Sequence, residues 1–126
     1  MFTIHKRELG DTAPFTYMPM KEGESAVLGT VYKQVAGKLT KASATDKPKY
    51  LCLGVQRKDM LAPMVRISPD MELVTTQDAA IADTLIGSAV TIGANGATVT
   101  ATTASGVFTV SATDGLINGM VAGYFE

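Results

Sequence analysis

The sequence contains no tryptophan, a single cysteine, a single histidine and, beyond Arg66, neither lysine nor arginine. Each shortage removes a class of function. One cysteine excludes an intrachain disulfide, and Cys52, in the apolar run Tyr50-Leu51-Cys52-Leu53, reads as a small buried hydrophobe and not as a reactive thiol. A lone His5, with no second histidine or cysteine at ligand spacing, leaves zinc without ligands. Scattered acids such as Asp46 and Asp59 read as solvated surface charge and not as a pair set for proton transfer. No Gly-x-Ser-x-Gly, phosphate loop or dinucleotide fingerprint occurs, and the glycines at 93, 96 and 106 fall among hairpin signals. The expectation is a protein that is not an enzyme, with no catalytic residue, metal or cofactor. Carbohydrate binding is disfavoured as well, because only 6% of the residues are aromatic. No apolar run approaches the roughly 20 residues of a membrane span. The start Met-Phe-Thr-Ile-His-Lys-Arg-Glu lacks the basic-then-apolar layout of a secretion signal. A soluble protein with no membrane partner, made and used without export, is therefore expected.

What the chain does have is unevenly placed. All 11 basic residues lie at or before Arg66, where six acids accompany them, so residues 1–66 carry +5; six acids without basic company give residues 67–126 a charge of −6. The net charge of −1 hides this dipole. Such asymmetry suits a protein docked by one side. At 126 residues one domain with one core is expected.

The local signals are those of strands and turns. Residues 1–20, with Pro14, Pro19 and the alternating Phe2 and Ile4, read as an extended N-terminal arm ordered by a partner; residues 21–126 read as a single β-rich domain. Val27, Leu28, Val31, Tyr32 and Val35 mark a strand, and Ala36-Gly37 turns it into Lys38-Leu39-Thr40-Lys41, with Leu39 inward and the lysines guarding an edge. The run 50–55 predicts a central strand with Leu51, Leu53 and Val55 in the core. Strands follow over 61–67 and 71–75, and the segment 78–86, with Ile81 and Leu85 four apart, predicts at most one short helix. Beyond Asp83 the pairs Asn95-Gly96, Ser105-Gly106, Asp114-Gly115 and Asn118-Gly119 punctuate Thr/Ala/Val runs, which predicts a C-terminal β-meander with an exposed threonine face. The fold class expected is mainly all-β, a small barrel- or sandwich-like domain.

Two functional readings arise. Lys33, Lys38, Lys41, Lys47 and Lys49 interleave with Tyr32 and Tyr50, the composition of a single-strand nucleic-acid platform; against it, the sequence pI is about 5.8. The other reading starts from Gly23-Glu24-Ser25-Ala26-Val27-Leu28, then Gly37-Lys38-Leu39-Thr40-Lys41-Ala42, then Lys47-Pro48-Lys49-Tyr50-Leu51-Cys52-Leu53-Gly54. This succession resembles the small head-decoration, or capsid-cement, proteins of tailed bacteriophages and prophages. The resemblance covers residues 1–60 by pattern and the rest by composition. It implies a virion protein on the capsid exterior, made in the host bacterial cytoplasm, that clamps neighbouring major capsid subunits and needs no active site. Self-association as a dimer or trimer at capsid symmetry axes, and a place in a head fibre or tail, stay open. On this reading Phe2, Ile4, Lys6 and Arg7 of the arm and Lys38 and Lys41 of the guarded edge are the candidate capsid contacts, with the meander toward solvent.

Overall fold

Alternation along the longest strand shows how the core is made. In Met71–Gln77 the residues Met71, Leu73, Thr75 and Gln77 share one face and are all buried, as a period of two demands when that face meets another layer. A computed structural model of the chain describes residues 1–7 and 15–125. The strands are β1 (Thr3–Arg7), β2 (Phe15–Pro19), β3 (Val31–Val35), β4 (Lys38–Lys41), β5 (Tyr50–Cys52), β6 (Leu61–Arg66), β7 (Met71–Gln77), β8 (Ala89–Val90), β9 (Thr98–Val99), β10 (Phe108–Thr113) and β11 (Met120–Phe125). They form two sheets. The first has the order β1-β7-β11-β10-β8, with β9 parallel to the end of β7; the second has the order β2-β6-β5-β3-β4. Every other pairing between these strands is antiparallel. The second sheet curls until Met20, just after β2, forms one bridge with Leu39 of β4, and it closes no barrel. Among the described residues no helix is long and apolar enough to cross a membrane.

The middle of the second sheet is buried on both faces. Val31, Leu51 and Val65 stand opposite one another and pack on the first sheet's Phe2, Met71, Leu73, Phe108, Val110, Val121 and Phe125. The opposite, concave face holds a second cluster: Met20, Ala26, Tyr32, Leu39, Cys52, Ala62 and Met64. Residues 20–30 lie over it. The Tyr32 hydroxyl donates to the Ser25 carbonyl at 2.9 Å and accepts the Val27 N–H at 3.1 Å, and burial pushes its titration upward. Leu39 is fully buried between the exposed Lys38 and Lys41, and Cys52 is buried, as the sequence predicts.

Three expectations need correction. The N-terminal segment is extended, but its first strand belongs to the chain's own sheet: β1 pairs with β7, and Phe2 is 1% exposed, its ring edge-on to Phe108 at 5.7 Å and tilted to Phe125 at 5.4 Å. Burying a phenylalanine and pairing four backbone residues offsets an ordering cost of about 1–2 kcal/mol per residue. The core strand at 50–55 stops at Cys52, and the chain bends at Gly54, whose carbonyl accepts the Cys52 thiol at 2.8 Å; Leu53 is exposed and Val55 is 80% exposed. The segment 78–86 does hold no more than one short helix, as expected: a single 3-10 turn, Asp83–Leu85, bracketed by extended Ala82 and Ile86 and burying none of its residues. A segment this short has too little packing to repay helix nucleation.

The C-terminal strands are not a simple meander, since β11 inserts between β10 and β7. Insertion at a central position requires Gly123, where a Cβ would overlap the Thr109 carbonyl and the Phe108 ring. Asp114-Gly115 and Asn118-Gly119 fall in one loop between β10 and β11, with positive φ at Gly115 and Asn118. The threonine face is partly engaged as well: Thr98 donates to Asp78 at 2.9 Å, and Thr91 and Thr100 bond each other at 2.7 Å.

Candidate docking surface

The face of the second sheet that packs on the first does not end where the cover ends. Phe15 stands opposite Val65 and Tyr17 opposite Pro63, so both aromatic residues share the face of Val65, which is in the inter-sheet core. They lie on the edge strand. Phe15 is 58% exposed and Tyr17 is exposed too, their rings edge-to-face at 6.0 Å. The Arg57 guanidinium sits 4.7 Å from the Tyr17 ring centroid and pairs with Asp59 at 2.7 Å. Next along the same row, Leu53 donates its N–H to the Pro63 carbonyl at 2.9 Å. Leu53 also lines a cavity of about 290 Å³ with Met1, Phe2, Thr3, Ile4, Leu28, Leu51 and Cys52. Met1, Ile4, Leu28 and Leu53 are all exposed at its mouth, and no charged side chain lines it. An apolar strip thus runs from Phe15 and Tyr17 through Pro63 and Leu53 to Leu28 and Ile4. A contiguous exposed apolar surface of this kind marks a contact surface.

Only one of the sequence-derived contact candidates joins this strip. Ile4 does. Phe2 is spent on the core and is unavailable to any partner. Lys6 and Arg7 lie on β1 opposite Glu72 and Met71, and their side chains fall outside the described residues. Lys38 and Lys41 are exposed on β4, at the other end of the sheet order from β2. The basic stretch proposed as a nucleic-acid platform does not assemble one either: Tyr32 is buried, and Lys33 pairs with Asp46 at 3.1 Å.

One polar cluster resembles catalytic machinery. β-Bulges at His5 and Ser111 turn both side chains toward Glu72, which is buried: His5 Nδ1 bonds Glu72 Oε1, and Ser111 Oγ donates to Glu72 Oε2 at 2.9 Å. The hydroxyl gives its proton to the carboxylate and not to the imidazole, so the histidine is not its base. The cluster ties β1 to β7 and β10. Among the described residues no group of three or more His, Cys, Asp or Glu could hold a metal ion. Burial pushes the Cys52 thiol up, away from the thiolate that nucleophilic chemistry needs. No family model matches the chain, and no curated protein or solved structure matches it.

A second exposed apolar element was hidden in the turn signals. Leu116 and Ile117, 64% and 66% exposed, form the tip of loop 114–119. The loop is held rigidly. Asp114 accepts the N–H groups of Leu116 at 3.0 Å and Met120 at 2.9 Å, which hold its carboxyl below the usual carboxylate range. Buried Gln77 donates its amide to the Leu116 carbonyl at 2.6 Å and accepts the Thr113 hydroxyl at 2.9 Å, while its own backbone bonds Asn118 and Gly119. The signal was legible: two aliphatic residues between Asp-Gly and Asn-Gly, where a solvated turn carries polar ones.

Proposed function

We propose that this chain is a head-decoration protein of a tailed bacteriophage or prophage, which binds the outer surface of the assembled head and bridges neighbouring major capsid subunits. The observation that carries the proposal is the apolar strip of Phe15, Tyr17, Leu53, Leu28 and Ile4, exposed on a small two-sheet domain. A protein of this size exposes such a strip at a cost in solubility, and a partner surface that covers it removes that cost. The sequence pattern over residues 1–60 supplies the kind of partner. The strip, and not an arm ordered by its partner, faces the shell. A ligand that binds the assembled shell and not free subunits stabilises assembly by mass action, so the function asks only for complementary surface.

A second reading rests on the same corner. Tyr17 with Arg57 stacked on it, beside exposed Phe15 at the rim of a curled sheet, has the ingredients of a single-strand nucleic-acid platform. One experiment separates the two: co-sedimentation of the protein with empty, DNA-free heads of its phage, alongside titration of a labelled oligonucleotide. Saturable co-sedimentation with no oligonucleotide binding supports the decoration role. Oligonucleotide binding that falls steeply with salt, with no head binding, replaces it with the second reading.

A further inference from the structure

The β10–β11 hairpin carries complementary features at its two ends. At one end is the rigid tip, Leu116 and Ile117, flanked by exposed acids: Asp114 in the loop itself, and Asp78 and Asp83 on the segment that the loop packs beside through Gln77 and the Thr113 to Ile81 hydrogen bond. No lysine or arginine follows residue 66, so these acids have no basic neighbour on their own stretch of chain. At the other end, where Phe108 pairs with Phe125, is an apolar pocket of about 220 Å³ walled by Pro48, Ile67, Pro69 and Phe125, with exposed Lys47 and Lys49 at its rim. A dry cavity of about 150 Å³ accepts a benzene-sized group, so this pocket has room for a branched aliphatic side chain.

The two ends cannot meet within one molecule. Each strand of the hairpin has six residues, which at about 3.3 Å per residue puts the tip roughly 20 Å from the pocket. We propose that the Leu116 and Ile117 tip of one copy seats in the lysine-rimmed pocket beside Phe125 of a second copy, so that the chain associates head to tail. Apolar side chains enter an apolar pocket, and acids around the tip face lysines around the rim. The opposed charges of the two halves of the sequence are then the two sides of one contact. The contact is heterologous: each copy keeps one free tip and one free pocket, and growth stops only if the rotation between copies closes a ring. This inference is independent of the capsid reading and is tested on the free protein.

Sedimentation velocity of the full chain, from low micromolar to millimolar concentration, reads it directly. The wild type is expected to form species larger than a monomer as concentration rises, and less so at high salt because the rim charges are screened. Ile117→Asp at the tip, and Lys47→Glu with Lys49→Glu at the rim, change exposed residues and leave the fold intact, which circular dichroism checks. Each is expected to weaken association roughly tenfold or more. The decisive sample is their equimolar mixture. The rim variant supplies an intact tip and the tip variant an intact pocket, so the mixture forms a one-to-one dimer that grows no further. A wild type that stays monomeric to millimolar concentration overturns the proposal, as does a mixture that remains monomeric or a tip variant that associates like the wild type.

Discussion

The first two strands invite comparison because the chain writes them almost alike. Thr3–Arg7 and Phe15–Pro19 are each five residues long, each lies at the edge of a sheet, and each has an aromatic residue near its start. They end in opposite circumstances. Phe2, leading into β1, packs against Phe108 and Phe125 in the middle of the core, while Phe15 and Tyr17 of β2 stand in solvent on a face that, one strand further in at Val65, is core. The difference lies in what stands across from each. β1 belongs to the sheet that covers, and β2 to the part of the other sheet that overhangs it. An aromatic residue in an alternating strand is thus a core residue or an exposed one according to the overlap of two sheets, which its own neighbours in sequence do not encode.

Mutations can break this comparison, beginning with the largest effect. Phe2→Ala is expected to cost about 3–5 kcal/mol, read as a shift in the denaturant midpoint, because it empties the centre of an aromatic cluster. An unchanged midpoint would return residues 1–7 to the status of an arm. Next, Leu51→Ala should cost about 2–5 kcal/mol, whereas Leu53→Ala, two residues on but past the covered part of the sheet, should cost about 1 kcal/mol or less. Equal losses at both positions would mean that the sheets overlap further than described.

Smaller effects test local structure. Cys52, buried against the curled sheet, is expected to react with a thiol reagent only at the rate of unfolding, and fast labelling of native protein would open that face. Asp114 has a folded pKa below its unfolded one, so its contribution is present above the ordinary carboxylate value and is lost only as pH falls through the lower folded value. The amide signals of Leu116 and Met120 should therefore hold their native shifts down to about pH 4 and move only below it. Movement between pH 5 and 6 would show that Asp114 does not anchor the loop.

Much of this was legible in the sequence, for a definite reason. Local period reveals which residues share a face, so the all-β class and the placement of Leu39 between Lys38 and Lys41 follow from it, as a buried Cys52 follows from its apolar run. It does not reveal whether a face is covered. Leu53 and Val55 continue the alternation of Leu51, but Leu53 lies past the end of the strand and Val55 past the bend at Gly54, and both leave the core; Phe15 and Tyr17 sit beyond the cover altogether. Strand order was illegible for a related reason. Turn signals between 95 and 119 imply neighbours joined by short loops, whereas β11 inserts beside β7, more than forty residues earlier, through pairings such as Ala122 with Val74. Only packing of the whole sheet selects that position. In the segment 78–86 the spacing of Ile81 and Leu85 yields only the 3-10 turn Asp83–Leu85, because Ile81 is buried individually ahead of it, beyond the extended Ala82.

The central claim is that the overhanging face at β2, and not a loose basic arm or the lysine edge at β4, attaches the protein to assembled heads. The direct measurement is the occupancy of empty heads after co-sedimentation, compared for the wild type, a Phe15→Asp and Tyr17→Asp double variant, and a Lys38→Glu and Lys41→Glu double variant. All three should be equally folded, because the altered side chains are exposed. The account predicts saturable binding by the wild type, near-wild-type binding by the lysine variant, and loss of binding by the aromatic variant. Full occupancy by the aromatic variant, with loss in the lysine variant, would contradict it and place the docking surface on β4.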